Sequence, residues 1–128
     1  MKLVDCDPKY WNFVKEIRTN PENQTGFFSL ANISDSEQKE FMSKNHQNYN
    51  ICISVEGDLL GYVGIINHNE ITYCVHPDHK NKGVGTFMVE NFVKKYNEVS
   101  ALVKPENVAS QKVFEKLNWD KKILYTKK

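Results

Sequence analysis

The sequence predicts a mixed α/β domain of the α+β class, a mostly antiparallel sheet with helices on both faces. Apolar residues recur at helical spacing in the first forty positions, then alternate as in a strand meander between 50 and 75. After that, a helical stretch separates two short apolar segments, which forces a crossover and hence one parallel pair.

Size and composition narrow the class further. The chain has 128 residues and a mass of 14.9 kDa, enough for one domain burying roughly 65–70 % of its unfolded surface. No repeat, linker or low-complexity tract divides it, so one domain over 1–128 is expected. Seventeen Lys+Arg nearly cancel sixteen Asp+Glu, for a net charge of +1. That leaves no general field to hold a nucleic-acid backbone. No apolar run approaches the ~20 residues that span a bilayer, and the start, Met1-Lys2-Leu3-Val4-Asp5, turns acidic before a secretory apolar region can form. Cys6, Cys52 and Cys74 are odd in number and lack CxxC spacing, which argues against a disulfide framework and a zinc site. A soluble protein of a reducing, cytoplasmic compartment without a metal is the expectation.

Lys2–Val4 can add a first strand to the sheet. Pro8 opens a helix that carries Tyr10, Trp11, Phe13, Val14 and Ile17 and ends near Asn20-Pro21, because proline disfavours helix in the residue before it. Its spacing makes these aromatics core rather than a base-stacking platform. Ser34-Asp35-Ser36-Glu37 is a capping box for a second helix that should turn Phe41 and Met42 inward. Strands follow over 50–56, 59–66 and 70–75, with turns at Gly57-Asp58 and Asn67-His68-Asn69. A helix from Val84 carries Phe87, Met88, Phe92, Val93 and Tyr96 on the same side. Ser100–Val103 reads as a short buried strand. Asn107 opens another helix, with Val108, Val113, Phe114 and Leu117 inward, and Ile123–Thr126 reads as a last strand.

The segment His79-Lys80-Asn81-Lys82-Gly83-Val84-Gly85-Thr86 joins a strand to a helix through two glycines. Unpaired N–H groups and a partial positive charge at a helix start attract anions. Lys80 and Lys82 add charge, the glycines let a phosphate approach, and Thr86 offers a hydroxyl. The alternative is a tight connection and nothing more. The spacing fits neither a P-loop nor a dinucleotide fingerprint, since Met88 stands where a third glycine belongs.

Val75-x-Pro77-x-x-Lys80-Asn81-Lys82-Gly83-Val84-Gly85 resembles motif A of the GNAT superfamily of acyl-CoA N-acyltransferases. Asn107-x-x-Ser110 and Phe114-x-x-Leu117-Asn118-Trp119 resemble the family's second helix signature, so the resemblance covers about 50–128 well and the preceding part loosely. It departs in three places: Lys80 replaces Arg or Gln and loses the planar donor fork, Phe114 replaces a tyrosine that in many members protonates the leaving thiolate, and Asn118-Trp119 replaces Gly-Phe.

The resemblance implies acetyl-CoA as co-substrate and direct transfer to an amine. The backbone of Lys82, Gly83, Val84, Gly85 and Thr86 would hold its pyrophosphate, with Lys80 and Asn81 alongside. The exposed backbone of Cys74 and Val75 would pair with the pantetheine arm, the Val75 N–H polarising the thioester carbonyl. Asn107, Ser110 and Phe114 would lie near the arm, though Asn107 is also a good helix cap. Glu70 resembles the family's strand-borne catalytic base; its other reading is a solvated carboxylate, and His68 and His76 are alternatives. The missing tyrosine need not abolish activity, since a thiolate whose conjugate acid has a pKa of about 8–9 leaves without much help; Tyr73 or Tyr125 could substitute as acid. Cys74 lacks a paired histidine and reads as a small buried hydrophobe. Arg18, in Arg18-Thr19-Asn20-Pro21, resembles the helix end of members acting on nucleotide-linked amino sugars, and with Glu37 and Phe41 it would line the acceptor side; otherwise it is a surface ion pair.

The function expected is thus acetylation of a small primary amine, such as an amino sugar, without nucleic-acid or membrane partners. Acetylation of a protein N-terminus or lysine, and a silent acyl-CoA-binding module, are the rivals. The short length suggests a homodimer in which a second chain completes the acceptor pocket.

Overall fold

The central strands carry apolar side chains at both parities, and a sheet of that kind must be covered on both faces. The computed structural model, which describes residues 1–27 and 32–127, has this arrangement. Strands β1 (Lys2–Asp5), β2 (Tyr49–Ile53), β3 (Leu59–Ile66) and β4 (Glu70–Val75) form one sheet in the order β1-β2-β3-β4, every neighbouring pair antiparallel. Lys2–Val4 is therefore a strand. On one face Phe13, Val14 and Ile17 of helix α1 (Trp11–Thr19) and Met42 of α2 (Asp35–Asn45) pack with Tyr49, Ile51, Tyr62 and Cys74. On the other, Val84, Met88, Val89 and Phe92 of α3 (Val84–Phe92) pack with Cys52, Val63 and Ile71. Val113, Phe114 and Leu117, at the end of α4 (Val108–Lys116) and just beyond, join that second cluster. No helix among the described residues is long and apolar enough to cross a membrane.

Local chemistry sets the helix limits. Asn20 turns extended ahead of Pro21 and its side chain accepts the Glu22 N–H, which stops α1 and starts a 3₁₀ segment, Pro21–Gly26. The capping box at Ser34 and Glu37 is complete, each side chain accepting the other's backbone N–H.

Several expected positions differ. Phe41 is 43 % exposed whereas Met42 is 1 % exposed, because adjacent helical residues point about 100° apart and cannot share one core. Val108 is exposed in the first turn of α4, which rises away from the sheet before Val113 reaches it. β2 stops at Ile53, leaving Val55 exposed in the hairpin turn. The strand expected over 100–103 contracts to a single parallel bridge, Glu70 with Ser100, where Ile71 N–H donates to Ser100 and Ser100 N–H donates to Asn69. Beyond it the chain leaves β4, and Leu102 is exposed. The strand expected over 123–126 is not formed: Ile123, Leu124 and Tyr125 are exposed. Its three consecutive apolar residues suit a strand, but a strand needs a neighbouring edge, and 100–103 offers none.

Candidate active site

The divergence after Ser100 opens a cleft of about 690 Å³ between β4 and the stretch that leads into α4. Its floor is the free edge of β4. The His76 N–H donates to Leu60 on β3 and the Ile71 N–H donates outward to Ser100. Antiparallel strands alternate which side each residue's N–H and C=O face. Tyr73 and Val75, in phase with Ile71, therefore present both groups to the open edge, while Cys74, opposite Tyr62, spends its own on the ladder. Among the described residues the Val75 backbone is unpaired; that of Cys74 is not, because register gives its place to Tyr73.

One end of the cleft is closed by the loop into α3. Asn81 and Gly83 are both left-handed, at φ 62° and 80°, and such turns gather successive N–H groups into anion-binding concavities. Gly83 caps α3, so the N–H groups of Val84, Gly85 and Thr86 have no carbonyl one turn back. Lys80, Asn81 and 83–86 all line the cleft, and Lys82 does not. A Cβ on Gly83 would stand in open space, whereas one on Gly85 would lie 3.1 Å from Tyr73 Cε2. Glycine at 85 thus makes room for a neighbouring ring, a role separate from close approach to phosphate.

The far wall comes from α4. The Asn107 side chain caps the helix by accepting the Ser110 N–H at 3.2 Å. It also lies against the Pro21–Gly26 segment, its Nδ2 3.2 Å from where a Gly26 Cβ would be. Ser110 Oγ is 2.6 Å from Tyr73 Oη, and the Phe114 ring meets the Tyr73 ring edge-on with centroids 6.3 Å apart. Asn107, Ser110 and Phe114 line the cleft with Cys74 and Val75.

The remaining expected residues lie elsewhere. Glu70 begins β4, about 17 Å along the strand from Val75, and is outside the cleft lining. His68 is in the exposed turn before it. His76 stacks on Phe13, and its Nδ1 accepts the Asp78 N–H. Tyr125 is exposed outside the cleft. Arg18 lies over the Phe27 ring, 3.6 Å from its centroid, and donates to Gln24. Glu37 and Phe41 line a separate shallow depression along α2, where the Glu37 carboxylate is engaged by the cap. Arg18, Glu37 and Phe41 therefore do not converge on one acceptor wall, since the helix that carries the latter two turns that face away from the cleft.

Sequence reasoning missed the wall that does face the loop into α3: Glu22, Asn23, Thr25, Gly26 and Phe27. The available signal was Asn20-Pro21, which ends a helix and starts a tight turn. Lys80 Nζ donates to the Glu22 carbonyl at 3.4 Å, joining this wall to the loop.

Residues 3–119 match the protein family described as Acetyltransferase (GNAT) domain. No curated protein matches the chain by sequence. Among solved structures it resembles a spermidine N-acetyltransferase from Vibrio cholerae in complex with CoA and spermine, at 20 % identity and TM-score 0.77 over 90 % of this chain and 78 % of that one. A ribosomal-protein-alanine N-acetyltransferase from Brucella melitensis aligns at 12 % identity and TM-score 0.79, covering 91 % and 83 %. A Salmonella typhimurium structure with its cofactor acetyl-CoA aligns at 16 % identity and TM-score 0.75, covering 91 % and 78 %.

Proposed function

Since this chain belongs to the GNAT acetyltransferase family, we propose that it uses acetyl-CoA to acetylate a primary amine of a small metabolite by direct transfer. The observation that carries the reading is one continuous cleft that joins an anion-binding helix start to a free strand edge. Both ends of a CoA carrier find complementary groups there. The pyrophosphate takes the N–H groups at 83–86 with Lys80, and the pantetheine arm pairs with the outward backbone of Tyr73 and Val75. The Val75 N–H then faces the thioester carbonyl, where an oxyanion develops as the amine attacks.

The amine must arrive neutral, and an alkylammonium has a pKa near 10. Glu70 serves as base through a water chain along β4, since it stands too far from Val75 for direct contact. The acceptor enters beside the Pro21–Gly26 wall, where Glu22 supplies a carboxylate for a cationic substrate. Arg18 sits behind that wall, stacked on Phe27, and the amino-sugar form of the reading rests on it alone.

Calorimetry with CoA and a thiol-release assay over a panel of small amines test the reading. Binding with turnover on a small amine supports it. Turnover only on peptides moves the acceptor to a protein, and binding without turnover on any amine leaves a silent acyl-CoA module. Glu70→Gln should lower kcat with little change in CoA affinity; equal rates at every pH remove Glu70 from the reaction.

A further inference from the structure

We propose that the Tyr73 hydroxyl, held by Ser110 and backed by the Phe114 ring, gives its proton to the sulfur as the acyl carrier leaves. The inference rests on the transfer reading and names a residue for a step that every thioester aminolysis contains. The C–S bond breaks with its electron pair on sulfur, and the amine nitrogen must lose a proton to become an amide.

Position is the first argument. Tyr73 is two residues before Val75 on the cleft floor, and its backbone faces the same open edge. Its phenol is the only one among the described residues that line the cleft. α4 has no proton to offer at 114, where phenylalanine stands. The second argument is restraint. Ser110 and Phe114 are one turn apart on a common helix face; one holds the Tyr73 hydroxyl at 2.6 Å and the other meets its ring. Gly85 fits against the ring edge at Cε2, where even a methyl group would be crowded. Three residues on two helices thus hold one tyrosine in place, the kind of support that a reacting group needs.

Burial raises the Tyr73 pKa above its usual value, with the Ser110 hydrogen bond opposing and Cys74 adding to the rise. The phenol is consequently protonated at neutral pH. A free phenolate in this setting is unfavourable, so the proton moves in relay. Tyr73 passes its proton to sulfur as Ser110 passes its own to the phenol oxygen. The water chain that draws off the amine's proton delivers one to Ser110 in the same event, so neither a phenolate nor a serine alkoxide is formed and Glu70 ends as it began. The net change is amine plus acetyl thioester to amide plus thiol.

General acids contribute about 10²–10⁴-fold, and a thiolate whose conjugate acid has a pKa near 8.5 leaves readily, so the effect should sit at the lower end. Tyr73→Phe is expected to lower kcat about 10²-fold, with KM for acetyl-CoA and CoA affinity by calorimetry unchanged, while Tm falls by the few degrees that one part-buried hydrogen bond is worth. Adding Phe114→Tyr to Tyr73→Phe should return part of the lost rate by supplying a phenol from the other wall. An unchanged kcat, a loss confined to KM and CoA affinity, or no recovery in a folded, CoA-binding double variant each overturns the assignment. A parent chain that acetylates no amine instead brings down the transfer reading and this inference together; a parent chain that does, with Tyr73→Phe equally fast, overturns Tyr73 alone.

Discussion

Gly85 fits against Tyr73 so closely that an added Cβ would lie 3.1 Å from the ring, while the same atom on Gly83 would meet nothing within 4 Å. The two glycines of the loop therefore answer different demands. Gly83→Ala places a methyl group on a left-handed residue, which costs roughly 1–2 kcal/mol of backbone strain, and projects it into the mouth of the cleft. Tm should fall and CoA affinity with it. Gly85→Ala gains up to about 1 kcal/mol of helix propensity against the crowding of Tyr73, so Tm should change little while turnover falls. Thermal melts beside calorimetry check both, and equal losses of CoA affinity for the pair would contradict the division of roles.

Gly64 stands under Tyr49 on the face of the sheet that α1 and α2 cover, and a Cβ there would come within 2.4 Å of the tyrosine ring. Tyr49 is itself buried with Met42, Ile51 and Tyr62. Gly64→Ala should destabilise the domain by about 1–3 kcal/mol, the usual cost of overpacking, as denaturant titration would read. CoA affinity per folded molecule should not change. A variant as stable as the parent would mean that the tyrosine ring can move aside.

What the sequence makes legible follows from which interactions are local. The capping box at Ser34, the stop at Asn20-Pro21 and the start of α3 at Val84 after the glycine are written in adjacent residues, and all are present. The meander from β2 to β4 was readable because its turns are short and its strands alternate. Register is not local. Whether Cys74 or Tyr73 shows its backbone to the cleft depends on how β4 meets β3, and a shift of one residue exchanges them. The Pro21–Gly26 wall was hidden for a similar reason, since only tertiary packing brings Glu22 to Lys80 and Gly26 to Asn107. Ile123–Thr126 failed in the opposite sense: its pattern is local, but a strand also requires an edge, and the chain diverges from β4 after Ser100.

The thiols supply a test of direct transfer. Burial pushes Cys74 up to about 12 and Cys6 and Cys52 up to about 11, with Lys80 and Arg18 only partly offsetting the effect at Cys74. The nucleophile in any covalent relay through Cys74 would be its thiolate, which is scarce near neutral pH. The folded protein should resist alkylation at pH 8 and react at all three cysteines once unfolded. Cys74→Ala should still transfer acetyl groups. Rapid alkylation of Cys74 in the folded state, or an acetylated Cys74 intermediate, would instead require a two-step route.

Acid stability separates two contacts at the start of α2. Asp35 pairs with Lys15, and that hydrogen bond and charge hold its carboxyl below the ordinary value of 3.8; the backbone and hydroxyl of Ser34 do the same for Glu37, below 4.5. A carboxyl whose folded pKa is depressed contributes stability that is fully present above the unfolded pKa and is lost as pH falls through the folded one. The gap in Tm between the parent and Asp35→Asn should therefore be open at neutral pH and close below the ordinary carboxylate range. Added salt should shrink the same gap, because both partners' charges are screened where Asp35 is exposed. Ser34→Ala removes a neutral acceptor from the Glu37 N–H, which costs about 1 kcal/mol, and its gap should persist under salt. Melting curves taken down the pH scale decide the matter: an Asp35→Asn gap that survives in strong acid would show that the residue acts through helix geometry and not through its charge.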